Sequence, residues 1–144
     1  MKPKSLLLIV GGGLILYYLI QRQRRKQLNT PTSRKIIDEV RNRFRKLNPQ
    51  YANIPIYPDT SSYTEDKEKI GLCVKNPTTG QYYNIDTIMH VALHELTHIL
   101  DHSYETGHTH SPEFYQKFDE VTKAAISAGV YNPATRVPID YCGL

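Results

Sequence analysis

The stretch HVALHELTHILDH, residues 90–102, spaces His90, His94, His98 and His102 four residues apart. A row at that spacing winds slowly along one face of an α-helix, which repeats every 3.6 residues. With Ile88 at zero and a turn of 100° per residue, Ile85, Ile88, Met89, Ala92, Leu93, Leu96, Ile99 and Leu100 fall between about 0 and 140°. The four histidines fall between about 200 and 320°, on the opposite side. Any fold for this chain must bury one side of the helix and leave a row of imidazoles on the other. Asn84 or Asp86 can cap it, and the pattern predicts a helix running to about His102.

Within the row, HELTH has the form HExxH, with His94, Glu95 and His98 at its defining positions. Histidines at i and i+4 lie one turn apart and can direct two nitrogens at one tetrahedral zinc, while the intervening glutamate can take a proton from water at the metal. A catalytic zinc takes three protein ligands and keeps one position open. The third ligand must come from downstream. A metzincin continuation would place Gly at position 101 and His at 104, where this chain has Asp101 and Tyr104. The remaining candidates are His108 and His110 in GHTHSPEF, with Asp119 or Glu120 as more distant carboxylates. Ser111 and Pro112 read as an N-cap and a first-turn proline. They open a helix in which Phe114, Phe118, Val121 and Ala125 share a face, and Gly129 closes it. His110 is therefore held just before a rigid helix start.

The N-terminus reads differently. Ser5 to Gln21 is a run of seventeen residues without a charge, spanning about 25 Å as a helix against a bilayer core of about 30 Å. Lys4 and Arg22 can snorkel, and Tyr17 and Tyr18 suit the interfacial layer. No small-x-small cleavage site follows, so the reading is a retained transmembrane anchor. Arg22, Arg24, Arg25 and Lys26 outweigh Lys2 and Lys4, which by the positive-inside rule puts the body in the cytosol. Beyond the linker LNTPTS, with Thr30 and Pro31 as cap and first turn, Ile36, Ile37, Val40, Phe44 and Leu47 recur at helical spacing. Basic residues line the other side of that helix, a solvated surface or a contact for anionic lipid. Over residues 54–83, IPIY reads as an edge strand because of its proline and KIGLCVK as a better strand ended by NPTTG. QYYNI is the expected hairpin partner of KIGLCVK.

Charge divides the chain. Residues 1–46 hold twelve Lys and Arg against Asp38 and Glu39, and the remainder holds six against twelve acids, within a net charge of +4. An acidic body behind a basic N-terminal third does not read as a nucleic-acid binder. Cys73 and Cys142 have no CxxC spacing, and the reading is two reduced thiols rather than one disulfide.

VALHELTHIL…GHTHSPEF resembles the SprT-like and WLM group of zinc metallopeptidases, over roughly residues 54–144 and most specifically over 90–118. The closing PIDYCGL resembles variants of this group encoded by large DNA viruses. The resemblance implies Zn2+ held by His94, His98 and His110, with Glu95 as general base. Ser111 stands where SprT-like proteins often have glycine, and His108 offers a rival third ligand; spacing to Phe114 favours His110. His90 and His102 read as non-ligands, and Glu113 as a favoured first-turn acid. Tyr104, Tyr131 and Tyr141 are the conceivable oxyanion donors. The expected architecture is α+β: a minimal zincin-like domain behind an N-terminal transmembrane helix, divided as 1–26 anchor, 27–50 linker and basic helix, and 51–144 metallopeptidase domain. The expected function is membrane-anchored peptide-bond hydrolysis, with a protein or peptide substrate and a membrane contact through residues 5–21. The rival is a non-catalytic, zinc-stabilised membrane or virion scaffold. DNA dependence, known among SprT-like proteins, is not carried over to the acidic body.

Overall fold

The computed structural model describes residues 3–101 and 110–143. Its elements in chain order are α1 (Pro3–Leu28), α2 (Pro31–Leu47), a 3-10 turn (Pro49–Asn53), β1 (Ile56–Pro58), β2 (Tyr63–Glu65), β3 (Lys69–Leu72), α3 (Ile85–Leu100), α4 (Pro112–Ser127) and a last short turn at Tyr141–Gly143. The fold is α+β, as expected.

The uncharged N-terminal run does form a helix, and Leu14 to Ile20 are exposed on it. Among the described residues, however, no helix is long and apolar enough to cross a membrane. The transmembrane expectation therefore finds no support among the described residues. The run is short for a bilayer core. It is also diluted by Gly11, Gly12 and Gly13, and the helix continues as the strongly polar QRQRRKQL.

Helix α2 starts where the sequence indicates, with Thr30 accepting from the Ser33 amide at 3.0 Å and Pro31 in the first turn. Its Ile37, Val40 and Phe44 enter one core with Ile70, Leu72 and Val74, the apolar face of α3 (Ile88, Met89, Ala92, Leu93, Leu96) and Ala125 of α4. On its flanks, Arg41 pairs with Asp38, and Arg43 pairs with Glu39 and Asp86.

The sheet order is β1-β3-β2, with β1 parallel and β2 antiparallel to β3. The proline-bearing strand is an edge, as its sequence demands. The hairpin partner of β3 is β2, not QYYNI, which contributes a single bridge between Lys75 and Tyr82. Asn76 accepts from the Thr78 and Thr79 amides and turns the chain as expected, but two residues beyond Tyr82 the cap of α3 has already begun. The β2–β3 connection is a three-residue loop, Asp66 to Glu68, in which Glu68 N–H donates to the Glu65 carbonyl at 3.0 Å and closes a turn. Both central residues, Asp66 (φ 52°) and Lys67 (φ 56°), lie in the left-handed region. That geometry matches the twist of a hairpin, but it is normally signalled by Asn or Gly.

Cys73 and Cys142 form a disulfide, their Cα atoms 6.2 Å apart, which corrects the expectation of two reduced thiols. The 69-residue separation leaves no local signal for the pairing. The C-terminal segment returns to the residues just after β3. There the Tyr141 hydroxyl donates to the Cys73 carbonyl, and the Cys142 amide donates to the Tyr83 hydroxyl at 2.9 Å. Reduced thiols therefore no longer argue for the cytosol.

Candidate metal centre

Helix α3 is capped by Asn84, whose side chain accepts from the Asp86 amide at 2.8 Å. Asp86 instead accepts from Arg43 and the Asn132 amide. The helix ends at Leu100, with Asp101 as C-cap, two residues short of the end expected at His102. His94 and His98 stand one turn apart on its polar side, half-buried. His110 reaches them from the segment immediately before α4, where Ser111 caps the helix by accepting from the Phe114 amide at 3.1 Å.

The three imidazoles converge. His94 Nε2 and His98 Nε2 each lie 3.1 Å from His110 Nε2. A neutral imidazole has one N–H, so a single hydrogen on His110 Nε2 can serve only one of these contacts. Three nitrogens bound about 2.0–2.1 Å from a tetrahedral zinc would stand about 3.3–3.4 Å apart. The donor set and spacing fit such an ion. Among the described residues, His94, His98 and His110 form the metal-capable group, with one ligand atom from each lying within 4.8 Å of the others.

Packing and charge prepare the nitrogens for that role. The Phe114 ring lies 5.0, 4.4 and 5.0 Å from the His94, His98 and His110 rings, and Phe118 backs His94 at 5.4 Å. Burial, followed by neighbouring His98, His110 and His90, pulls the His94 pKa down to about 4. Burial and then His110 lower that of His98, against the opposing pull of Asp101. Both are neutral at pH 7, with lone pairs available to a cation.

Glu95 is buried, 7% exposed, on the same helix. Burial raises its pKa, and the hydrogen bond from Thr64 pulls the other way. The Thr64 hydroxyl lies 2.8 Å from Glu95 Oε2 and 2.9 Å from the Glu95 carbonyl, and its one hydrogen can serve either. Oε1 has no hydrogen-bond partner among the described residues, yet it is not sealed from solvent. The cleft that contains the three histidines and Glu95 has a volume of about 640 Å³, and its far wall comes from the β2 region: Ser62, Thr64, Asp66 and Lys67. Nothing in the sequence pattern singled out this wall.

The other candidates fall elsewhere. Asp119 pairs with Lys123 and Glu120 with Lys117 on the exposed side of α4, and neither joins the histidines. Glu113 is exposed in the first turn of that helix. The His90 Nδ1 contacts the Tyr131 hydroxyl at 2.9 Å, and His90 is not one of the three converging imidazoles. Tyr141 is buried against Cys73 and Ser62. His102, Tyr104 and His108 lie outside the described residues.

A model of the WLM domain matches residues 64–135, half of the chain, from Thr64 of β2 through α3 and α4. The chain belongs to the WLM domain family. WLM domains are zincin-like and of metallopeptidase type, which agrees with the resemblance carried by HELTH and SPEF. The viral character suggested by the closing tail also has support among relatives. An uncharacterized protein of Acanthamoeba polyphaga mimivirus is 35% identical over 124 residues, covering 83% of this chain and 60% of its own length. One of Invertebrate iridescent virus 3 is 35% identical over 98 residues, covering 65% of this chain and 57% of its own length. One of Invertebrate iridescent virus 6 is 29% identical over 135 residues, 78% of this chain and 74% of the relative. The chain thus spans about three fifths of the length of the first two relatives. No solved structure matches it.

Proposed function

We propose that this WLM domain is a zinc-dependent metallopeptidase, with His94, His98 and His110 as zinc ligands and Glu95 as general base. The observation that carries the reading is the convergence of three imidazole Nε2 atoms beside a buried carboxylate in an open cleft. Zinc held there would act as a Lewis acid on the scissile carbonyl and make a nearby water acidic near neutral pH. Glu95, with Oε1 open to the cleft, takes the proton of the attacking water and passes it to the leaving amine. Three protein ligands leave the fourth position for substrate, and a general base has no task at a filled structural site. The substrate class is an unfolded protein or peptide.

The test is Glu95→Gln in the full chain, which keeps shape and removes basicity. Zinc content and melting temperature should match the parent. Cleavage of fluorescein-labelled casein should fall at least about a hundredfold, the usual scale of general-base catalysis. Equal cleavage by parent and variant would remove Glu95 from the mechanism. A zinc-loaded parent that cleaves nothing in a broad peptide library would favour the scaffold.

For location, we propose that α1 seats the domain on an anionic lipid surface. Support comes from the exposed Leu14–Ile20 stretch followed by Arg22, Arg24, Arg25 and Lys26, since basic residues beside an apolar segment favour the anionic cytoplasmic leaflet. The full chain should float with phosphatidylserine vesicles and less with phosphatidylcholine. Replacing Leu14, Leu16 and Leu19 by Ser should abolish flotation; retention by that variant would refute the seat.

A further inference from the structure

We infer that Thr64 is the positioning residue for the Glu95 carboxylate, an inference that rests on the reading of Glu95 as base. A glutamate side chain has three rotatable torsions, and general-base chemistry needs its acting oxygen held within a few tenths of an ångström of a productive place. Helix α3 fixes only the Cα and Cβ of Glu95. The remaining constraint comes from across the cleft. The Thr64 hydroxyl reaches Oε2 at 2.8 Å while standing 2.9 Å from the same residue's carbonyl. With its one hydrogen directed to Oε2, the shorter contact, it holds the carboxylate folded back toward the Glu95 carbonyl. With Oε2 fastened, Oε1 is the oxygen left to the cleft.

The anchor is itself anchored. Thr64 pairs with fully buried Ile70 in the β2–β3 register. On one side of it, the Ser62 hydroxyl accepts from the Cys73 amide at 2.9 Å; next to it, the Tyr63 hydroxyl donates to Asp59 at 2.6 Å. Threonine is β-branched, so its χ1 is stiff where serine's is freer. The strand wall thus delivers one hydroxyl to one carboxylate oxygen from a fixed distance.

The experiment compares full-length parent, Thr64→Val and Thr64→Ser. Valine keeps the shape and removes the hydroxyl; serine restores it. Crystal structures of the metal-free proteins should show the Glu95 carboxylate in one place in the parent and Thr64→Ser, and displaced or spread over rotamers in Thr64→Val. With zinc loaded to parental content, casein cleavage by Thr64→Val should lose about ten- to a hundredfold in kcat at unchanged KM, and Thr64→Ser should recover most of it. Should Thr64→Val fail to fold, Thr64→Ala carries the same comparison. A carboxylate that stays in its parental place without the hydroxyl overturns the inference, whatever the activity. The two failures are separable: an active Glu95→Gln protein sinks the base assignment, whereas an inactive one beside an unmoved carboxylate in Thr64→Val sinks only the role of Thr64.

Discussion

The two walls of the cleft are built by different means. The helical wall takes His94, Glu95 and His98 from a single turn and a half of α3, and His110 from the cap of the next helix. Its geometry is local: a spacing of four residues places two nitrogens together before any tertiary contact forms. The strand wall takes Ser62, Thr64, Asp66 and Lys67 from a short edge hairpin. Its geometry depends on a strand register, on a turn with two non-glycine residues in the left-handed region, and on a C-terminal tail pinned behind it. On the proposed reading, the helical wall supplies all three metal ligands and the strand wall holds the carboxylate beside them.

If the walls divide the work in this way, damage to the strand wall should cost stability and turnover while sparing zinc. The larger effect is expected for Cys142→Ser. Opening a disulfide that links residues 69 apart should remove about 2–4 kcal/mol of stability, read as a lower melting temperature, with zinc content unchanged. Loss of zinc in this variant would mean that the walls are coupled. A smaller effect is expected for Gly71→Ala. A Cβ at Gly71 would meet Cε1 and Cζ of Tyr63 at 2.7 Å, and ring atoms pinned by a bonded hydroxyl cannot simply swing aside. Overpacking of this kind costs about 1–3 kcal/mol and should displace β2, so casein cleavage should fall with zinc retained. Parental stability in Gly71→Ala would show that the hairpin is looser than the register implies.

The same division explains what could be read from the chain beforehand. HELTH, its polar face and the Asn84 and Ser111 caps follow from short-range spacing, whereas His110 rests on the resemblance and meets His94 and His98 only through tertiary packing. Thr64 carries no such mark: a threonine in a strand pattern says only that it suits a pleated surface. The turn at Asp66 and Lys67 lacks the Asn or Gly that would have announced a hairpin, so β3 was matched with the residues after NPTTG instead. The disulfide was missed because pairing across 69 residues depends on where Tyr141 docks, not on cysteine spacing. The N-terminal run is at the short end of what crosses a bilayer, and among the described residues no helix is long and apolar enough to span one.

The central claim is that His94, His98 and His110 together hold one zinc. X-ray absorption at the zinc edge of the loaded full chain addresses it without any substrate. The account predicts one zinc per chain, with three imidazole nitrogens about 2.0–2.1 Å from the metal, and loss of the three-imidazole signature in His94→Ala and in His110→Ala. Sulfur in the coordination shell, only two imidazoles in the parent, or a spectrum unchanged by His110→Ala would contradict it.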